Sequence, residues 1–318
     1  MNKSFTTALL FTALFVAAQP GIAQTVDTTD NSKDLETMLD KDNSGTKPSK
    51  PYTIATFKST RIINGHSIEN VGKGVLDFRI SHRFGTLNQG AKNFYGLDNA
   101  TTKLGFDYGV TNWLMVGIGR STYEKEYDGY IKAKLYRQTD DNKHPVTVSY
   151  VGAMSVRTFD VQETPGQEYY FSNRLFYANQ LLIARKVCKW LSVQLMPTHV
   201  HYNLVPTSGE PNDVLAMGIG GRLKVSNRIA LTGEYYYTIP GNKLDHYKNS
   251  ISAGIDIETG GHVFQLFFTN ATGITERSFI GQNTGDWREG DIHFGFNISR
   301  VFTIVRPKGF KESEKKKW

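Results

Sequence analysis

From residue 75 onward, apolar and polar side chains alternate along runs of about ten residues, the period of a strand with one apolar and one polar face. Leu76, Phe78 and Ile80 point one way while Asp77 and Arg79 point the other. Twelve such runs follow, at 75–84, 102–110, 114–122, 128–137, 146–156, 173–187, 191–202, 213–225, 229–239, 248–257, 262–271 and 291–303. The connections 111–113, 138–145, 188–190, 226–228 and 258–261 are short. They alternate with the longer 85–101, 123–127, 157–172, 203–212, 240–247 and 272–290. One turn pattern recurs on the short side: Val110-Thr-Asn-Trp-Leu114, Val187-Cys-Lys-Trp-Leu191 and Val225-Ser-Asn-Arg-Ile229. The copies lie 77 and then 38 residues apart, so the repeating unit is two strands and their connections. The pattern predicts an all-β fold: a closed antiparallel transmembrane up-and-down β-barrel of about 12 strands, with tight turns on one rim and loops on the other.

The two faces of the wall follow from the same alternation. Leu104, Phe106, Tyr108, Val148, Tyr150, Leu223, Leu231, Tyr235, Ile251, Ile255, Phe294, Phe296 and Ile298 continue the face of Leu76, Phe78 and Ile80, which is read as facing lipid. The opposite face carries Asp77, Arg79, Lys103, Asp107, Lys132, Lys134, Arg222, Lys224, Glu234, Asp256 and His293, the candidate lumen-lining set. Trp113 and Trp190 fall in short turns, where an interfacial aromatic belt belongs.

The first residues change the picture of where this barrel is placed. Lys3, the apolar run Ala8 to Ala18 and the small residues of Gly21-Ile-Ala23 read as a signal peptide over 1–23, with Gln24 as the mature start. That run is shorter than the about 20 residues a spanning helix needs. An exported barrel is expected in the cell outer membrane, with outer-membrane lipid and the barrel-assembly machinery as its partners and no nucleic acid. Residues 24–51 are polar and read as a flexible periplasmic segment; residues 305–318 form a basic tail. Between segment and barrel, 52–73 reads as a small hairpin: the runs 56–63 and 67–71 flank Asn64-Gly65, a strong turn pair. Its expected place is below or inside the barrel, and it need not be part of the wall.

Composition adds little more. Mean hydropathy is negative, as expected when only alternate residues meet lipid, while 12% aromatics and 30 glycines suit girdles and close strand packing. The lone Cys188 excludes an internal disulfide framework. The formal charge is +7, and part of the excess sits in the C-terminal lysines 311 and 315–317.

Four segments carry a resemblance. Gly74-Val-Leu-Asp-Phe-Arg-Ile-Ser-His-Arg-Phe-Gly85 resembles the opening strand of a Bacteroidetes-type outer-membrane β-barrel family of unknown function, and Leu104 to Gly119 resembles its second hairpin. Asn179-Gln-Leu-Leu-Ile-Ala-Arg185 and Gly290 to Arg300 are similar to its later strands, so that the likeness spans residues 52–303. The resemblance implies an outer-membrane barrel without an established activity and supplies no catalytic or ligand residues. The chain extends past the last strand, through Arg306 to Trp318, with Phe302 as the aromatic end of the wall.

Candidate chemistry is sparse. Asp40-Lys-Asp42-Asn-Ser44-Gly45 starts like a calcium loop, but its twelfth position is Pro51 where a bidentate Glu belongs, so a polar linker is the better reading. His199 and His201 share one side of a strand near the long-loop rim, with no third ligand close in sequence, so no metal site is expected. Gly117-Ile-Gly119 and Gly218-Ile-Gly-Gly221 do not open helices and read as strand glycines. Ser81 and His82 are adjacent and face opposite sides, His293 and Ser299 are too far apart, and no Gly-x-Ser-x-Gly elbow occurs. No enzyme, cofactor or metal is therefore expected. Arg222 and Lys224 are placed to pair with Glu234 one strand away. The leading expectation is a narrow passive channel of unknown solute, with mild anion preference from six basic against four acidic lumen residues. The alternative is a filled structural or partner-binding barrel acting through loops 85–101 and 272–290, and a membrane-embedded hydrolase is the minor one.

Overall fold

A computed structural model describes residues 52–159, 170–205, 209, 211–241 and 246–305. The 1–23 segment expected to be a signal peptide, the 24–51 segment with its calcium-like loop, and the tail beyond 305 lie outside the described residues. Twelve strands form the wall: β1 (Val75–Thr86), β2 (Ala100–Gly109), β3 (Leu114–Ser121), β4 (Glu126–Tyr136), β5 (Thr147–Arg157) and β6 (Leu175–Lys186). They continue as β7 (Leu191–Tyr202), β8 (Asp213–Lys224), β9 (Ile229–Thr238), β10 (Ser250–Thr259), β11 (His262–Thr269) and β12 (His293–Thr303). Every strand pairs antiparallel with its sequence neighbours, and β1 pairs with β12 from Val75–Thr303 to Thr86–His293, so the sheet closes and has no free edge. The sequence pattern places all twelve strands within two residues of these bounds.

The period of two survives in the burial of each strand. In β8, Val214, Ala216, Gly218, Gly220 and Arg222 are buried and face inward, while Leu215, Met217, Ile219 and Leu223 are exposed and face outward. Outward Ile118, Ile131, Leu195, Leu231, Leu266 and Phe268 are exposed as well, giving the wall a band of apolar side chains that water would not favour and lipid does. Bulges interrupt the pairing between Arg83 and Thr86 and between Lys134 and Tyr136. Between β6 and β7 the pairing skips from Gln180–Thr198 to Ile183–Leu195, around Pro197, which has no N–H to give. Among the described residues no helix is long and apolar enough to cross a membrane.

Two segments leave the wall and enter its interior. Residues 56–71 fold inside the barrel from the short-turn rim, with Phe57, Ile62, Ile63, His66, Ser67 and Ile68 all buried. Residues 270–283 dip in from the long-loop rim and carry a π-helical turn, Arg277–Gly281, in which every residue is buried. The core therefore lies within the barrel, where Ile62 and Ile68 from one rim cluster with Phe279 and Ile280 from the other and with Met196, Tyr202 and Tyr236 of the wall.

Residues 56–71 turn back on themselves but do not form the expected hairpin ladder. One bridge joins Arg61 and His66, with two backbone bonds beside it, Ile62 N–H to Gly65 O at 2.9 Å and Ser67 N–H to Thr60 O at 3.0 Å. Neither Asn64 nor Gly65 has positive φ, which the two-residue hairpin turn favoured by Asn-Gly requires. Gly65 is needed for closeness instead: a Cβ there would lie 2.0 Å from the Tyr236 hydroxyl.

Candidate functional site

A segment with so few bonds to itself must satisfy its peptide groups elsewhere, and here side chains of the barrel wall do it. The Glu234 carboxylate on β9 accepts the N–H of Asn64 at 2.7 Å and that of Gly65 at 3.1 Å, with Ile63 N–H at 3.4 Å. The Lys132 ammonium on β4 donates to the carbonyls of Glu69 at 2.6 Å, Ser67 at 3.0 Å and Thr60 at 3.3 Å. Gln265 donates to Ile62 O at 2.7 Å, Asn297 to Ile63 O at 3.0 Å and Gln194 to His66 O at 2.7 Å. Five strands thus hold one turn of backbone, and the bonds from charged partners are the stronger kind. Asn64 locks the tip, its amide donating to Ser252 Oγ at 2.8 Å and its oxygen accepting from Arg83 at 2.6 Å.

Where the two inserted segments meet, Arg61 Nη1 lies 2.7 Å from Glu276 Oε1 and its guanidinium carbon 5.3 Å from the Tyr130 ring centre. His66 Nε2 is 3.3 Å from the same carboxylate oxygen, off hydrogen-bond alignment. Burial pushes the His66 imidazole well below its ordinary pKa, and the nearby cations Arg61, Lys132, Arg79 and Lys103 push the same way, so the ring is neutral. The inward loop is pinned by Thr275, which donates to Glu126 at 2.8 Å, and by Arg277, which pairs with Glu124 and Glu126 and lies 4.5 Å over the Phe176 ring. The space left beside Arg61, Arg79, Asp107 and Tyr130 measures about 20 Å³, room for one water molecule. A larger recess of about 390 Å³ lies at the short-turn rim, between the inserted segment and β1, β11 and β12.

All eleven candidate lumen residues project inward, but into this filled interior. Arg79 pairs with Asp77, Asp107 and the Thr60 hydroxyl. Lys103 pairs with Asp128 at 2.7 Å, Lys134 lies 4.0 Å from Glu69, and Asp256 accepts from Gln265 at 2.9 Å. The expected pairing of Arg222 and Lys224 with Glu234 does not occur, because the Glu234 carboxylate is occupied by the inserted backbone; neither cation forms a salt bridge among the described residues. His293 is held between the Thr272 hydroxyl at 3.0 Å and the Phe84 carbonyl at 2.7 Å, fastening the inward loop to the rim. Arg83, Asp128 and Glu126 belong to the same inward face and were not singled out from sequence. Arg83 shares the parity of Asp77 and Arg79 along β1, and that signal could have found it. Trp113 and Trp190 are exposed in short turns.

On the outer surface the two histidines gain a third neighbour. Asp213, at the start of β8, is paired in register with His201, and its Oδ1 lies 2.8 Å from His199 Nε2 and 2.7 Å from His201 Nδ1. This carboxylate is not close in sequence: it comes from across the ladder, twelve residues beyond His201. Ser81 is buried facing inward and His82 faces outward, as their adjacency requires.

Residues 57–302 match a family described as "Membrane bound beta barrel domain (DUF5777)". Among solved structures, the NanC porin is 11% identical with a TM-score of 0.45, over 72% of this chain and 100% of that one. The KdgM porin is 9% identical with a TM-score of 0.44, over 72% and 99%. An outer membrane channel from Pseudomonas putida F1 is 13% identical with a TM-score of 0.46, over 74% and 98%. No curated protein matches the chain.

Proposed function

Because the chain belongs to the family of membrane-bound β-barrel domains, we propose that it is an outer-membrane barrel closed by its own N-terminal segment, working from its rims and outer surface and not as an open solute channel. The observation that carries this reading is the use of the lumen charges. Lys132 and Glu234, both fully buried or nearly so, spend their hydrogen bonds on the backbone of residues 60–69 and face no water-filled path. A continuous passage would leave inward side chains exposed to solvent; those midway along their strands, such as Val151, Gln180 and Met196, are buried instead.

The partner-binding form of this reading draws on the loop between β1 and β2. Phe94 and Tyr95 stand exposed there in consecutive left-handed conformations, at φ 45° and 53°. Such backbone costs of order 1–3 kcal/mol per residue, and the side chains it holds out are the aromatic kind that anchor protein interfaces. The other expected contact loop, 272–290, is largely committed to the interior through Arg277 and Phe279, so the 87–99 loop carries the interaction. The band of outward apolar residues meets outer-membrane lipid, with the short-turn rim toward the periplasm.

Planar-bilayer recording tests the closed lumen. The intact protein is expected to give a folded, heat-modifiable barrel without steady conductance, and the chain lacking residues 52–73 to conduct. The inward charge excess would then appear only in the shortened chain, as a mild anion preference that fades as salt screens it. Steady conductance by the intact barrel would refute the proposal.

A further inference from the structure

We propose that His199, His201 and Asp213 form a binding site for a divalent transition metal of the zinc class, on the outer face of the barrel at the long-loop rim. β7 places the two imidazoles on one side, two residues apart, because the alternate residues Thr198, Val200 and Tyr202 are turned inward and buried. The β7–β8 register sets Asp213 directly across from His201 and Leu215 across from His199, so the carboxylate sits diagonal to the second ring. One candidate ligand atom from each of the three residues lies within 4.8 Å of the others. Ligand atoms around tetrahedral zinc, at bonds of about 2.0–2.2 Å, stand about 3.3 Å apart. The present separations of 2.8 and 2.7 Å from Asp213 Oδ1 need to open by only about half an ångström.

The competing description is a carboxylate that accepts one hydrogen bond from each ring. Both descriptions use the same atoms. A metal takes the place of the ring protons facing Oδ1, and each neutral imidazole changes tautomer, carrying its one proton on the other nitrogen, through exchange with water. The placement favours the metal. The carboxylate stands at the head of a β8 face that continues through Leu215, Met217 and Ile219, where an anion gains most from a dication beside it. All three side chains are partly exposed, so an ion can reach them. Two nitrogens and one oxygen suit zinc, nickel or copper, and do not suit calcium or magnesium, which take oxygen ligands. Three protein ligands leave a position for water or for an anionic group from outside. The site lies on the outer surface and shares no residue with the filled lumen, so its failure would leave the closed-barrel reading untouched.

The test uses the untagged full-length barrel folded in detergent and freed of metal. Zinc is titrated by calorimetry, and cobalt(II) by its visible absorption, which reports coordination geometry directly. One equivalent of saturable binding is expected, with cobalt bands of a low-coordinate site containing nitrogen ligands. Replacing both rings (His199→Ala with His201→Ala) should weaken binding by more than about tenfold, and Asp213→Asn, which keeps the shape, by about tenfold. His262→Ala, on the distant β11, should leave binding unchanged. Heat-modifiable migration verifies that each variant is folded, and Asp213→Asn decides the matter if the double variant does not fold. Absence of saturable binding at submillimolar zinc overturns the proposal. Equal binding by wild type and Asp213→Asn overturns it as well.

Discussion

Replacing Lys132 with Met is the sharpest perturbation of the closed lumen. Met fills nearly the same space, so the wall keeps its packing while the ammonium that serves three carbonyls disappears. Thr60, Ser67 and Glu69 would each lose a donor. An unsatisfied buried polar group costs about 1–3 kcal/mol. The low end applies, since Thr60 and Glu69 also border the recess at the short-turn rim, where water can replace part of the loss. The Thr60 carbonyl keeps its bond from Ser67 N–H, so two groups are left unsatisfied, about 2 kcal/mol or roughly thirtyfold in the population of barrels whose inserted segment has left its seat. Hydrogen exchange reads that population directly. The amides of Ile62 and Ser67 are bonded within the segment, to Gly65 O and Thr60 O, and both residues are buried. Their protection should fall by about thirtyfold in Lys132→Met, while amides in β10, on the opposite side of the ring, hold theirs. Unchanged protection at Ile62 and Ser67 in a folded variant would show that Lys132 does not hold the segment and would refute the reasoning.

Gly65→Ala should loosen the same tip, because its Cβ would meet the Tyr236 hydroxyl at 2.0 Å; Tyr236→Phe should partly rescue it, which a double-mutant cycle on thermal unfolding can measure. Docking of the inserted segment should weaken in acid. The docked His66 has a pKa lowered by burial, so the released segment binds a proton first; the contribution of His66 is complete above about 6.5, its ordinary value, and is lost progressively as pH falls below it. His66→Phe, which leaves no ring hydrogen bond behind, should flatten the pH dependence of Ile62 protection between pH 7.5 and 5. Arg277→Met should free the inward loop, since it removes the partner of Glu124 and Glu126; proteolysis between residues 270 and 290 should then accelerate by about one to two orders of magnitude, matching the 3–5 kcal/mol scale of a broken buried pair less the part that solvent screens at Glu124.

The wall was legible in the sequence because a barrel strand obeys one rule over its whole length. Leu215, Met217 and Ile219 face out and Ala216, Gly218 and Gly220 face in whatever fills the lumen, and turns such as Val110 to Leu114 mark where the parity restarts. The state of the lumen was not legible. Lys132 and Glu234 read as charges for a wet interior, because inward parity is the same for a residue facing water and for one facing a peptide carbonyl. Their partners, at Thr60 to Glu69, are local in space and distant along the chain, and the irregular backbone there obeys no period. Asn64-Gly65 was recognised as a turn, yet the physical demand on Gly65 comes from Tyr236, which lies 171 positions further on. Asp213 escaped for a related reason: only the β7–β8 register brings it to His199 and His201.

Cysteine accessibility inside the folded barrel tests the central claim most directly. Ser67 has no exposed surface in the structure, so Ser67→Cys, in a chain whose Cys188 is replaced by Ser, places a thiol at the heart of the filled lumen. A small charged thiol reagent should leave it unmodified in the folded, membrane-inserted protein and label it completely after heat unfolding. Rapid labelling in the folded barrel, at the rate of an exposed thiol, would contradict the account and mean that residues 56–71 leave the lumen open.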